Sequence, residues 1–188
     1  MTCISDGKTF ETISVFQIYS GTAIPICDQH SQVNDCASYH FKTISMKFKL
    51  LNPGEQKTFA VILASGDEVK ESILSFAKEQ KLHASQFTAI GAFSKATLGY
   101  FDFSIKDYRK IEFDEQVEVL SVAGDISMYK DEFKVHAHVV IGKKDGTAHG
   151  GHLLEAIVHP TLEIIVTESP AYLCREIDTE SGLPLIKI

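Results

Sequence analysis

At 188 residues the chain has room for one domain of roughly 100–150 residues plus an appendage. A hydrophobic fraction of 44% and a charged fraction of 23% belong to a protein with a sizeable core, which excludes a disordered, collagenous or disulfide-dense chain. The net charge is −7, and only Arg109 and Arg175 are arginines among 18 cations, so little material exists for bidentate phosphate or guanine recognition.

The N-terminus, Met1 to Phe10, has no basic stretch leading into an apolar one, which argues against a secretory signal. No apolar run reaches the ~18–20 residues of a membrane helix, so the expectation is a cytoplasmic chain with no membrane partner. Residues 1–45 are rich in Ser, Thr, Cys and Gln, carry few charges and show no sustained period, though Ile13–Tyr19 is β-like. They read as an N-terminal extension without an assigned role, ahead of a domain spanning 46–188. Cys3, Cys27 and Cys36 lie in this extension, Cys174 is remote, and no C-x-x-C pair exists. Free thiols in a reducing compartment fit that pattern. Cys27, His30, Cys36 and His40 match no familiar zinc spacing.

Met46 opens an alternation through Leu50 that ends at the turn signal Asn52-Pro53-Gly54. Thr58–Ala64 is a continuous apolar run suited to a buried strand. Asp67 then caps a helix over Glu68 to Gln80, whose Val69, Ile73, Phe76 and Ala77 form one core-facing stripe. Strands follow at Phe87–Phe93, Ala96–Phe103 and Lys110–Phe113, then at Glu115–Met128 with an interruption at Gly124. Further strands are predicted at Phe133–Ile141, His149–Leu154, Leu162–Thr167 and Tyr172–Glu176. One main helix against many strands is an α+β plan with an antiparallel or mixed sheet.

The chemistry concentrates at the Phe133–Ile141 strand and its successor. Residues two apart on a strand share a face, so His136 and His138 point the same way. Asp145-Gly146 signals a hairpin turn, and pairs counted outward from it place His138 opposite His152. Directly opposed residues have Cβ atoms only ~4.5–5.5 Å apart on one face, so three imidazoles converge. A register slip or a bulge at Gly150-Gly151 would break the arrangement. Three such nitrogens suit zinc or another divalent first-row metal and leave a position open to water or a small-molecule ligand. The bland account is three hydrogen-bonded strand histidines. Glu163 is the candidate carboxylate to hold a ligand histidine, and no catalytic residue is identified. His149 faces the other side of its strand, and His83 and His159 read as solvent-facing loop histidines. No dinucleotide loop at Gly91 or Gly99, no Gly-x-Ser-x-Gly and no P-loop is present.

Several stretches together resemble a family. Gly91-Ala92-Phe93-Ser94-Lys95-Ala96-Thr97-Leu98-Gly99-Tyr100-Phe101-Asp102, Val119-Leu120-Ser121-Val122-Ala123-Gly124-Asp125-Ile126-Ser127, His136-Ala137-His138, Asp145-Gly146 and Gly150-Gly151-His152-Leu153 are similar to the PPC domain, conserved between plants and prokaryotes. The resemblance spans about Met46 to Asp178 and implies one α+β domain that assembles as a homotrimer. It implies that His136, His138 and His152 match a histidine set associated with a divalent metal, usually zinc. It also implies a DNA-binding or regulatory role, but plant members carry a separate Arg-Gly-Arg-Pro AT-hook that this chain lacks. Three readings stand. One is a metal-binding trimer with a DNA-associated role. The second is a metal-dependent enzyme acting on a small molecule, and the third is an assembly module without catalysis.

Overall fold

The computed structural model describes residues 12–15, 44–52, 55–169 and 174–187. Cys27, His30, Cys36, His40 and Tyr172, singled out above, lie outside the described residues. In chain order the elements are β1 (Thr12–Val15), β2 (Ile44–Asn52), β3 (Lys57–Ala64), α1 (Val69–Gln80), β4 (Ala84–Asp102) and β5 (Asp107–Phe113). They continue with β6 (Val117–Tyr129), β7 (Glu132–Gly142), β8 (Ala148–Glu168), β9 (Cys174–Ile177) and β10 (Pro184–Lys187). Strands dominate: the α+β expectation holds with a helix of only 12 residues set against one ten-stranded mixed sheet.

β4, β6, β7 and β8 close a ring of antiparallel pairings, β4 to β6 to β7 to β8 and back to β4. β3 extends the sheet from β8, β2 pairs β3, and β1 pairs β2. β9 joins β6 in parallel at Met128↔Cys174 and pairs β10. Such curling needs long, bent strands. The expected breaks between Phe93 and Ala96 and between Leu154 and Leu162 are register shifts, so four predicted strands are the two strands β4 and β8. An extra residue re-aims a strand without ending it, which lets one strand serve two neighbours.

Alternation decides which face is buried. Phe59, Val61 and Leu63 of β3, Val135, Ala137, Val139 and Ile141 of β7, and Leu153, Ala156 and Val158 of β8 all point into one core. Ile73, Phe76 and Ala77 of α1 complete it, with the Phe59 and Phe76 rings edge-to-face at 5.3 Å. The helix cap differs from expectation. Asp67 is buried and its carboxylate accepts from the Ala64 N–H at 2.9 Å, closing the turn out of β3. Glu68 caps α1 instead, accepting from the Glu71 N–H at 2.6 Å and, with its other oxygen, from the Ala156 N–H at 3.2 Å. No described helix is long and apolar enough to cross a membrane.

Candidate metal centre

β7 buries Val135, Ala137 and Val139, so His136 and His138 emerge on the opposite face. The β7–β8 turn is held by the Asp145 carboxylate, which accepts from the Thr147 N–H at 2.9 Å and its hydroxyl at 2.6 Å. From that turn the register runs without a shift, setting His138 opposite His152 as the turn count predicts. Gly150-Gly151 carries no bulge between β7 and β8.

The ring centroids lie 5.2 Å apart for His136–His138, 5.1 Å for His136–His152 and 5.3 Å for His138–His152. This is a near-equilateral triangle whose ligating nitrogens all fall within 4.8 Å of one another. Burial pushes His152 down to about 4, and coupling to the neighbouring His136 and His138 rings and to the Lys70 and Lys134 charges adds to the shift. Burial and then His136 lower His138 as well. Both rings therefore stay neutral at pH 7 with a lone pair to offer, which is the state a metal requires.

Two further side chains complete the surroundings. Gly99 of β4 is the other strand neighbour of His152, and a Cβ there would come within 2.7 Å of the Tyr108 ring. Lacking one, Gly99 lets Tyr108 of β5 lie over His152, centroids 4.6 Å apart, with its hydroxyl 3.5 Å from Nδ1. His138 is exposed, so the triangle is roofed over His152 and open beside His138. Asp125 of β6 pairs with His136 across the strands, and its Oδ2 lies 3.2 Å from His136 Nδ1. Burial works to raise the Asp125 carboxyl, but His136, Arg175 and Ser127 outweigh it and hold it below the ordinary carboxylate range.

Glu163 stands elsewhere. It is exposed between Ile62 of β3 and Ile90 of β4, eleven residues along β8 from His152, and the carboxylate beside a ring of the triangle is that of Asp125. The sequence held a signal for it, because pairs counted outward from a Lys130-Asp131 turn set Asp125 against His136. That turn hides because neither residue is glycine, although both adopt positive φ. His149 is exposed, beside Phe113 at 5.1 Å, and faces away from the triangle. His83 is not a solvent-facing loop residue: it is half-buried and stacks on Phe133 at 5.3 Å. His159 is exposed, with Nδ1 2.9 Å from the Ser65 hydroxyl.

A family model described as the Plants and Prokaryotes Conserved (PCC) domain matches residues 51–170. This chain belongs to that family. The matched PCC span contains the three histidines, Tyr108 and Asp125, whereas Arg175 lies beyond it. Among solved structures, a metal-containing protein from Archaeoglobus fulgidus is 34% identical with a TM-score of 0.66, covering 79% of this chain and 100% of that one. A plant- and prokaryote-conserved protein from Pyrococcus horikoshii is 30% identical with a TM-score of 0.66, covering 75% and 94%. A candidate DNA-binding protein from Bacteroides thetaiotaomicron is 26% identical with a TM-score of 0.69, covering 74% and 96%. The sequence has no match among curated proteins.

Proposed function

We propose that this PCC-domain chain is a cytoplasmic homotrimer that holds one divalent metal, zinc foremost, on His136, His138 and His152. Residues 46–188 are its domain and residues 1–45 an extension. One observation carries the reading: three imidazoles on two paired strands form a triangle with nitrogens within 4.8 Å of one another, two of them kept neutral by burial. The A. fulgidus relative, a metal-containing protein, supports it. When bound, the metal would supply Lewis acidity and lower the pKa of a coordinated water to about 7. The chain's own groups would do the rest. Asp125, in the part first given to Glu163, holds the His136 ring, Tyr108 covers His152, and the exposed side at His138 admits a small-molecule ligand. Charge from Lys70 and Lys134 near His152 favours an anionic one.

Support for the trimer comes from the outer sheet face. Ile62, Ile90, Leu120 and Val140 are 37%, 59%, 53% and 41% exposed on β3, β4, β6 and β7, with Glu163 of β8 paired to both Ile62 and Ile90. A row of large apolar side chains in water marks an interaction surface. The DNA-associated role named for relatives is the weaker reading. Arg175 is buried on Asp125, and Arg109 is engaged by Asp102, so phosphate neutralisation would fall to lysines on a chain of net charge −7.

Elemental analysis of untagged, chelator-free protein tests the site. The expected result is about one metal ion per chain, lost in His138→Ala and retained in His149→Ala. A protein that takes up no metal even after incubation with zinc rejects the reading and leaves the assembly module.

A further inference from the structure

Arg175 is the second residue of β9, beyond the span matched by the family model. It is 7% exposed, and every part of its guanidinium is used. Nε donates to the Ser127 hydroxyl at 2.6 Å, and Nη1 donates to the Pro184 carbonyl of β10 at 2.8 Å. Nη2 donates to both oxygens of Asp125, at 2.6 and 2.7 Å. The Asp125 oxygen at 2.7 Å is the same Oδ2 that faces His136 Nδ1. Nη2 also lies 3.4 Å from Nδ1 itself. Two nitrogens thus meet at one carboxylate oxygen. An ionised carboxylate only accepts, and the guanidinium, always protonated, keeps Asp125 ionised, so the consistent assignment has Nδ1–H donating to Asp125. His136 Nε2 then keeps its lone pair.

We infer that Arg175 is a positioning residue of the three-histidine site. By clamping Asp125 against Ser127 it fixes His136 as the Nδ1–H tautomer, with Nε2 free to ligate. It thereby makes the C-terminal hairpin β9–β10 part of the centre's support. Burying a guanidinium costs more desolvation than an apolar anchor of the same size, so a mere staple for this hairpin would be better made of hydrocarbon. The charge is explained by what it does to Asp125. A carboxylate with one oxygen on a histidine is otherwise free to rotate; with both oxygens and the neighbouring hydroxyl engaged, it is not.

The effect on metal affinity rests on the metal reading; the effect on the His136 tautomer does not. The test therefore pairs two measurements on the full-length chain: nitrogen-15 NMR of the histidine rings without metal, and zinc titration against a competing chelator. Wild type is expected to show His136 as Nδ1–H. Arg175→Met is expected to show a mixture of tautomers, and zinc affinity about 10–100-fold weaker. Arg175→Lys keeps a cation beside Asp125 but cannot reproduce the fork. It should lose about 10-fold in zinc affinity, and it provides the comparison where the methionine variant does not fold. An unchanged His136 tautomer in the variants, or zinc affinity equal to wild type, overturns the proposal while leaving the metal reading intact. If wild type takes up no zinc, the metal reading fails alone, and the NMR comparison still decides whether Arg175 positions His136.

Discussion

Single atoms decide the geometry around the triangle. A Cβ added at Gly124 would meet Phe87 Cζ at 2.3 Å and the His136 carbonyl oxygen at 2.7 Å. Phe87 is 2% exposed and cannot swing aside. Gly124 does not interrupt its strand, as the sequence suggested; it continues β6 and makes room for that ring. Overpacking of this kind costs about 1–3 kcal/mol. Gly124→Ala is therefore expected to lower the urea midpoint without changing the slope and, if the proposed site takes zinc, to weaken its uptake because the displaced carbonyl belongs to His136. A variant as stable as wild type would mean that β7 yields without cost. The histidines themselves could be read from their spacing on two paired strands. Asp125 and Tyr108 could not, because one depends on an unobvious turn and the other on a missing Cβ at Gly99.

At the scale of elements, the β4–β5 hairpin delivers Tyr108 to the triangle, so its tip matters to the site. Asp102 closes that tip. The Ser104 hydroxyl, the Ser104 N–H and Arg109 hold its carboxyl down at about 2, against an ordinary value of 3.8. The folded value lies below the unfolded one, so the unfolded chain takes the proton first as pH falls. The stabilisation from Asp102 is complete above about pH 4 and is lost as pH falls towards about 2. Asp102→Asn should therefore be less stable than wild type at pH 7, with the gap between their denaturation midpoints closing over that acid window. A constant gap would assign the effect to packing. The same scale explains the merged strands: Ser94 and Lys95 are exposed and read as a loop, yet a register shift carries β4 through them.

For the whole molecule, the exposed row through Ile62, Ile90, Leu120 and Val140 is the feature that a lone chain leaves unexplained. Glu163 sits within it, between Ile62 and Ile90. If the chain assembles as proposed, charge at the most exposed of the four, Ile90→Asp, is expected to convert the proposed trimer to monomer in light scattering while leaving the far-ultraviolet circular dichroism unchanged. A variant that remains trimeric would place the subunit contact on another face.

Features that depend on neighbours along the chain could be read directly from the residues. The helix stripe, the apolar run of β3, the Asp145-Gly146 turn and the pairing of His138 with His152 all follow from local periodicity and one tight turn. Tertiary structure decided what depends on strands distant in sequence. Closure of β4, β6, β7 and β8 into a ring brought Gly99 beside His152 and Asp125 beside His136. Docking of β9 on β6 brought Arg175 onto Asp125 across fifty residues. Alternation tells which face a residue takes, but not which strand lies next to it. That choice is made by the bulges and by the packing of the shared core, and neither leaves a local signature.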